Sequence, residues 1–163
     1  MAKNKEEKTN VMRVLEQKKI AYTPHSYPHE EGIAVDGVTV AKSMGFDPAA
    51  VFKTLVARGA SKQYYVFDVP VAENLDLKKA AKAVGEKSIE MIHQKELLPL
   101  TGYVHGGCSP VGMKKLFPTV FHSSAENLAA MIVSAGKIGY QVELAPHDLA
   151  ALVRAKFADI IVE

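Results

Sequence analysis

Residues 51–69, VFKTLVARGASKQYYVFDV, decide how this chain folds. Two runs rich in β-branched and aromatic residues, 51–58 and 64–69, flank a short turn that contains Gly59, and this order predicts a β-hairpin. One charge interrupts the first run, because Lys53 stands among apolar residues. Lysine is seldom fully buried without a partner, so its side chain points either to solvent or into a polar pocket, and the pattern alone does not choose.

Helices are predicted on both sides of this hairpin, wherever apolar residues recur at helical spacing behind a capping residue. The predicted helices cover about 9–19, 36–44, 76–85 and 146–156. Asp76 and Gly85 give the third of these both an N-cap and a closing glycine.

Further strands are predicted around an edge segment at 20–27, around Val120, over 131–133 and over 140–144. Pro24 suits an edge strand because it lacks an N–H for the ladder. Strands and helices are interspersed, and no linker or repeat divides the chain. The pattern therefore favours a mixed sheet wrapped by helices.

The composition is that of one globular domain over residues 1–163. Of the 163 residues 48% are hydrophobic, and the charged residues 1–8 predict a flexible lead-in. A single cysteine excludes an internal disulfide, and no apolar stretch is long enough to indicate secretion or a membrane span, so a cytoplasmic location is expected. The net charge of +2 is too small to indicate a nucleic-acid coat protein, so any RNA contact must be local.

The histidines and the one cysteine give weak signals for chemistry. His25 and His29 are four residues apart, but Pro24 and Pro28 prevent the helix that would bring them together. Cys108 has no base and acid paired with it in the sequence, so packing as a small hydrophobe is the stronger interpretation. No metal or cofactor is expected.

Two glycine-rich stretches, 101–112 and 134–139, carry more information. Neither matches a phosphate motif, because the first lacks the ending of a P-loop and the second is too short for a dinucleotide fingerprint. Adjacent glycines such as Gly106 and Gly107 let backbone N–H groups approach an anionic or carbonyl oxygen. Two ordinary tight turns explain the pattern equally well, so spacing leaves both interpretations open.

Four ordered motifs together resemble the YbaK/EbsC family, the Cys-tRNA(Pro)/Cys-tRNA(Cys) deacylases. The motifs are VFKTL at 51–55, VPV at 69–71 with LDLKKA at 75–80, TGY at 101–103 with GGCSP at 106–110, and SAGK at 134–137. The similarity runs in one register from about Val11 to Ile161, which is nearly the whole chain. It implies an α+β fold with a mixed, partly barrel-like sheet wrapped by helices, similar to the editing domain of bacterial prolyl-tRNA synthetases.

The resemblance also implies an enzyme, a free-standing proofreader that clears cysteine from Cys-tRNA(Pro), with Cys-tRNA(Cys) as a second candidate substrate. Such proofreading is needed because cysteine and proline have similar volumes, and a hydrophobic pocket separates near-isosteres by only about 1–3 kcal/mol. In this family the thiol of the cysteine is proposed to attack its own ester carbonyl. The reaction is then lyase-like and requires no nucleophile from the protein.

By the same resemblance, Lys53 is the catalytic position, and its ammonium holds the terminal nucleotide or the carbonyl oxygen of the substrate. The matching substrate-binding positions are Tyr27, Thr54, Gly106, Gly107, Ser109, Pro110, Ser134 and Gly136. The two adjacent glycines match a backbone cradle. Gln141 stands where some members carry an acidic residue, and this departure puts the strictness for cysteine in question.

Two other functions fit the sequence. A deacylase of the same fold could act on Ala-tRNA(Pro) or another small aminoacyl ester, but it would need a polar group to position water. A non-catalytic module could instead bind tRNA or a synthetase. The expected partners are the 3′ end of aminoacylated tRNA and, in a transient ternary complex, prolyl-tRNA synthetase; no membrane or DNA partner is expected.

Overall fold

The computed structural model describes residues 8–30 and 32–163. The predicted lead-in over residues 1–8 lies outside the described residues, except for its last residue. The helices are α1 (Asn10–Gln17), α2 (Gly37–Ser43), α3 (Leu77–Val84), α4 (Gln94–Thr101) and α5 (Pro146–Val153). The strands are β1 (Thr23–Ser26), β2 (Phe52–Gly59), β3 (Tyr64–Pro70), β4 (Ile89–Met91), β5 (Thr119–His122), β6 (Met131–Ser134), β7 (Tyr140–Leu144) and β8 (Ala155–Ala158).

The strands form two sheets. One is antiparallel with the order β1-β7-β6, and the other has five strands in the order β4-β2-β3-β5-β8. The larger sheet is mixed. Strand β5 pairs in parallel with both β3 and β8, whereas β2 pairs antiparallel with β3 and β4. An isolated parallel bridge between Val51 and Ile132 joins the two sheets. The expected α+β class with a mixed sheet is confirmed, and the described strands do not close into a barrel.

Local sequence signals set the starts of α1, α2 and α3 as predicted. The side chains of Thr9, Asp36 and Asp76 accept hydrogen bonds from first-turn N–H groups of α1, α2 and α3. Gly85 ends α3 at a φ of 75°, where a residue without a Cβ is unstrained. The hairpin of β2 and β3 is also confirmed, with Lys53 opposite Val69 in its register.

The five-stranded sheet has two differently covered faces. Successive residues of a strand point to opposite faces. Phe52 belongs to a buried cluster that includes residues of α1 and α5, whereas Ala57 packs with buried alanines of α3. We call these the α1 face and the α3 face. Lys53 alternates with Phe52 along β2 and therefore lies on the α3 face.

The last predicted helix, 146–156, is wrong at its end. Helix α5 ends at Val153, and Arg154 adopts a left-handed conformation with a φ of 59°. The next four residues, Ala155–Ala158, pair in parallel with β5 as strand β8. Lys156 is therefore a strand residue, because pairing with a buried neighbouring strand outweighs the local helical pattern.

Two short elements, β4 and α4, have no counterpart in the sequence predictions. Strand β4 has three residues, and α4 carries Pro99 inside the helix, where proline ordinarily indicates a break. Over the residues that the structure describes, no helix is both long and apolar enough to cross a membrane.

Candidate active site

Lys53 is half-buried on the α3 face of β2, close to the bridge that joins the two sheets. Its ammonium donates a hydrogen bond to the carbonyl oxygen of Val71 at 3.4 Å, and no other acceptor for it lies among residues 8–30 and 32–163. Partial burial lowers the pKa of Lys53, while the carboxylates of Asp36 and Glu73 act in the opposite direction. An ammonium has three N–H donors, so this group can also bind an oxygen of a ligand.

The bridge between Val51 and Ile132 relates Lys53 to Ser134. Each lies two residues beyond the bridge on strands that run in parallel there, so their side chains project to the same side. Ser134 is only 8% exposed, and its Oγ accepts a hydrogen bond from the N–H of Gly136 at 3.0 Å. The structure therefore brings two predicted site residues from different sheets onto one side of the junction.

Gln141 lies directly opposite Ser134 in the β6–β7 pair and shares its face. It is 8% exposed, and its Oε1 atom is buried without a hydrogen-bond partner in the described part of the chain. A buried acceptor without a donor costs about 1–3 kcal/mol. A ligand with an ammonium group would remove this cost by donating to Oε1. The sequence had indicated Gln141 only as a departure from the family pattern.

Tyr27 packs against the turn between β6 and β7. Its N–H donates to the carbonyl oxygen of Gly139 at 2.9 Å, and its ring lies edge-on to His29 with centroids 6.0 Å apart. The side chain is buried, and this burial raises the pKa of Tyr27. A cavity of about 200 Å³ opens beside the same turn, lined by His29, Gly32, Gly102, Tyr103, Val104, Gly136, Lys137 and Ile138.

Gly106 and Gly107 pass this turn at close range. Gly106 has a φ of +90°, and a Cβ on it would lie 2.7 Å from the Cβ of Ala34. A Cβ on Gly107 would lie 3.1 Å from the backbone N of Ile138. Backbone conformation and close packing thus both favour glycine at Gly106, and close packing favours it at Gly107. This close approach is made with the chain itself, and contact with a substrate oxygen stays a prediction.

The segment after these glycines is buried and held by its own hydrogen bonds. The Oγ of Ser109 accepts from the N–H of Val111 at 3.2 Å, and Pro110 is buried beside it. Cys108 packs on the α1 face with Val56, and burial raises the pKa of its thiol to about 12. These contacts give Ser109 and Pro110 a place in the turn and support the packing role expected for the cysteine.

Thr54 points away from Lys53, because neighbouring strand residues face opposite sides of the sheet. Its Oγ1 donates to Oδ1 of Asp68 at 2.5 Å. The structure thus places this hydroxyl on the face of the sheet opposite to Lys53, and a substrate contact of Thr54 stays a prediction. Asp68 is fully buried, its Oδ2 has no partner among the described residues, and burial raises its pKa to about 7. Sequence reasoning missed Asp68, although the same signal, a charge within an apolar strand, had singled out Lys53.

Potential metal ligands do not gather at this junction. In residues 8–30 and 32–163, no group of three or more His, Cys, Asp or Glu side chains could hold a metal ion. His25 lies 2.7 Å from Oε1 of Glu143 through its Nε2 atom, and its ring contacts Phe46. His25 is therefore engaged by side chains of the protein itself, which is typical of a structural role.

The grouped side chains can bind a polar substrate and stabilise negative charge. Lys53 supplies a cationic donor, Ser134 a hydroxyl and Gln141 an acceptor, all on one side of the sheet junction. Such preorganised groups stabilise charge that develops on a carbonyl oxygen. No described serine or cysteine here has a histidine hydrogen-bonded to it that could act as its base.

Comparison with known proteins gives this arrangement a family. The model of the aminoacyl-tRNA editing domain matches residues 34–152. Over 161 residues, covering 98% of each chain, the sequence is 46% identical to EbsC of Enterococcus faecalis (strain ATCC 700802 / V583), which is named as a candidate Cys-tRNA(Pro)/Cys-tRNA(Cys) deacylase. The resemblance stated from the sequence motifs is therefore confirmed.

Two solved structures share the fold. One is the crystal structure of a candidate trans-editing enzyme for prolyl-tRNA synthetase, with a TM-score of 0.79 and 24% identity over 94% of this chain and 95% of the other. The second is a protein described only as hypothetical, with a TM-score of 0.82 and 18% identity over 93% of this chain and 99% of the other. Since the family model spans most of the sequence and the relative matches almost end to end, this chain belongs to the aminoacyl-tRNA editing domain family.

Proposed function

We propose that this protein is a trans-acting aminoacyl-tRNA deacylase that clears cysteine from Cys-tRNA(Pro), with Cys-tRNA(Cys) as a second substrate. The observation that carries the proposal is the half-buried ammonium of Lys53 on the same side of the sheet junction as Ser134, in a chain of the editing family. The 46% identity to a candidate deacylase of both cysteinyl-tRNAs supports the same substrates. Residues 1–163 act as one editing domain in this proposal.

Lys53 is the catalytic residue of the proposal. Its ammonium donates to the ester carbonyl oxygen of the bound substrate and stabilises the oxyanion that forms there. The Oε1 of Gln141 accepts from the α-ammonium group of the amino acid, which satisfies its unpaired oxygen. Tyr27, Ser134 and the glycines at 106, 107 and 136 form the walls that orient the ester.

The substrate supplies the nucleophile. The sulfur of the esterified cysteine forms a bond to its own carbonyl carbon, and the bond from that carbon to the ribose oxygen breaks. The thiol proton passes to the departing ribose oxygen, so the products are a cyclic thioester and uncharged tRNA. The protein contributes orientation and charge stabilisation, and effective molarities for well-oriented intramolecular attack reach about 10⁵–10⁸ M.

This mechanism explains how the reaction can select cysteine without a tight pocket. A hydrophobic pocket separates amino acids of similar volume by about 1–3 kcal/mol. Attack by the side chain adds a chemical criterion, because alanine has no nucleophile at that position. Gln141 in place of a carboxylate binds an α-ammonium with less Coulomb attraction, so selection rests more heavily on the thiol.

We also propose a transient complex with prolyl-tRNA synthetase, which would supply the recognition of the tRNA body. A net charge of +2 favours weak and salt-sensitive binding of tRNA by the chain alone. Capture of tRNA on the synthetase would raise its effective concentration at the deacylase. The proposal places the protein in the cytoplasm, where charged tRNA is made. Equal tRNA affinity with and without the synthetase would contradict this part.

Release of tRNA from Cys-tRNA(Pro), Cys-tRNA(Cys), Ala-tRNA(Pro) and Ser-tRNA(Pro) by the purified chain at low salt tests the function. Rapid loss of the two cysteinyl esters alone is the expected result. Equal loss of the alanyl and seryl esters would replace thiol attack by water attack. If none of the four esters is cleaved, the protein is a binding module and the deacylase proposal fails.

A further inference from the structure

A groove rimmed by lysines lies on the outside of α3. A cavity of about 410 Å³ separates the helix from the segment that follows it, with Lys78, Lys82 and Lys87 among its lining residues. The remaining lining is Leu77, Ala81, Glu86, Ser88 and Ile89. We call this feature the lysine groove. It combines three cations at the rim with apolar side chains along the floor.

The lysine ammonium groups of the lysine groove take no part in the contacts that hold the described fold together. All three lysines are exposed, and none has an ion pair or side-chain hydrogen bond in the described part of the chain. Lys79, on the neighbouring side of the helix, is instead occupied by Asp159 at 3.0 Å and by the carbonyl oxygen of Ile161 at 2.9 Å. The groove therefore presents positive charge to solvent.

The one acid in the lining is engaged by the hairpin turn. The carboxylate of Glu86 accepts from the N–H of Ser61 at 3.1 Å, from its hydroxyl at 2.5 Å and from the hydroxyl of Tyr65 at 2.6 Å. These hydrogen bonds lower the pKa of Glu86. Glu86 therefore stays ionised and held by three neutral donors, and the three lysines leave the lining of the groove with an excess of positive charge.

The groove lies on the same face of the sheet as Lys53. Lys53 and Ala57 point to one side of β2, and Ala57 packs with the buried alanines of α3. The chain leads from Val71, whose carbonyl oxygen binds Lys53, directly into the N-cap of α3 at Asp76. The end of the helix lies beside the hairpin turn, which is at the end of β2 that is far from Lys53.

We propose that the lysine groove binds the phosphodiester backbone of the substrate tRNA where its acceptor end leads away from the active site. The inference rests on the proposed function and adds the surface that holds the nucleic acid. Lys78 and Lys82 stand on one face of α3, about 6 Å apart along its axis, in a row that points away from Lys53. Positive side chains in a row neutralise successive phosphates and need no base-specific contact.

Binding of uncharged tRNA(Pro), and of a minihelix with the acceptor stem and single-stranded 3′ end, tests the groove. Affinity is measured against salt concentration for the wild type and for the variant K78Q/K82Q. The matched control is K18Q/K19Q, which removes two exposed charges at the end of α1, on the opposite face of the sheet. Glutamine and lysine have similar helix propensities, and circular dichroism verifies that each variant folds.

The expected result is that K78Q/K82Q binds both RNAs more weakly. Its negative slope of log affinity against log salt should also become less steep by about 2, about 1 for each lost phosphate contact. The control variant keeps the wild-type slope. Equal slopes for all three proteins, an equal loss in the control, or no RNA binding by the wild type at low salt would each overturn the inference. Because the RNA carries no ester, these outcomes are independent of the deacylation assay.

Discussion

Replacement of Asp68 by asparagine should remove a pH-dependent cost from the stability of the fold. Asp68 lies in the middle strand of the five-stranded sheet, fully buried, with one oxygen bonded to Thr54 and the other without a partner among the described residues. Burial without a counter-charge disfavours the carboxylate and raises the pKa of Asp68 to about 7. The amide of Asp68→Asn would keep an acceptor for Thr54 and carry no charge at any pH.

The direction of the pH effect on the free energy of unfolding follows from the state, native or unfolded, that keeps the proton on Asp68. The native state keeps a proton on Asp68 up to about pH 7, whereas the unfolded state loses it near the ordinary pKa of 3.8. Between these values folding takes up a proton, so the free energy of unfolding falls as the pH rises from about 4 to about 7. At about 1.4 kcal/mol for each unit of pKa, the full effect is about 4 kcal/mol.

Denaturant unfolding of the wild type and of Asp68→Asn at pH 4 and at pH 8 measures this effect. We expect the variant to gain about 4 kcal/mol relative to the wild type between the two pH values. Taking the difference between the proteins at each pH cancels histidine titration and any packing cost of the amide. Asp148→Asn, an exposed acid in the first turn of α5, serves as the matched control and should show no such gain.

A constant stability difference between wild type and Asp68→Asn at the two pH values would refute the reasoning. It would mean that the carboxyl group has the same pKa in the native and unfolded states, and hence that it reaches water or a donor in the folded protein. A difference that moves in the opposite direction would mean that the native state stabilises the carboxylate, as a neighbouring positive charge would do.

Four further outcomes test the site. Lys53→Ala should lower the deacylation rate by about 100-fold or more and keep the wild-type melting temperature. The control Lys42→Ala, at an exposed lysine, should keep full activity. Full activity in Lys53→Ala would remove Lys53 from the mechanism. Ser134→Ala should lower the rate by up to about tenfold in single-turnover assays, and an unchanged rate would exclude a substrate contact. Gly106→Ala should cost about 1–3 kcal/mol in denaturant unfolding, because its Cβ would meet Ala34; wild-type stability would show that the loop relaxes freely. Cys108→Ala should leave the deacylation rate unchanged, whereas a loss of activity would assign the buried thiol a role in the reaction.

The elements that the sequence predicted correctly are those whose ends carry local signals, such as a capping residue or a turn glycine. Asp76 and Gly85 bracket α3, and the turn at Gly59 separates two runs of strand-forming residues, so the helix and the hairpin are both confirmed. Strand β8 lacks such signals. None of its residues Ala155–Ala158 is fully buried, and their conformation is decided by pairing with β5, which lies far away in the sequence. Nonlocal pairing of this kind leaves no local pattern to detect.

The motifs allowed the candidate site residues to be named from the sequence, but not their arrangement in space. The sequence could not show that Lys53 and Ser134 project to one side, because this depends on a bridge between two sheets. It equally could not show that Thr54, adjacent to Lys53, turns to the opposite face and bonds Asp68. Alternation along a strand predicts that neighbours diverge, but only the packed structure identifies which face carries the site.

The isolated bridge between Val51 and Ile132 works as a pivot. This bridge is the one place where the two sheets pair among the described residues, so it helps to fix the position of Lys53 relative to Ser134. Both pivot side chains are buried and apolar, at 0% and 2% exposure. A change in their volume would increase or decrease the distance between Lys53 and Ser134 without altering any polar group. Substitutions at Val51 or Ile132 would therefore shift Lys53 relative to Ser134 and leave both of these side chains unchanged.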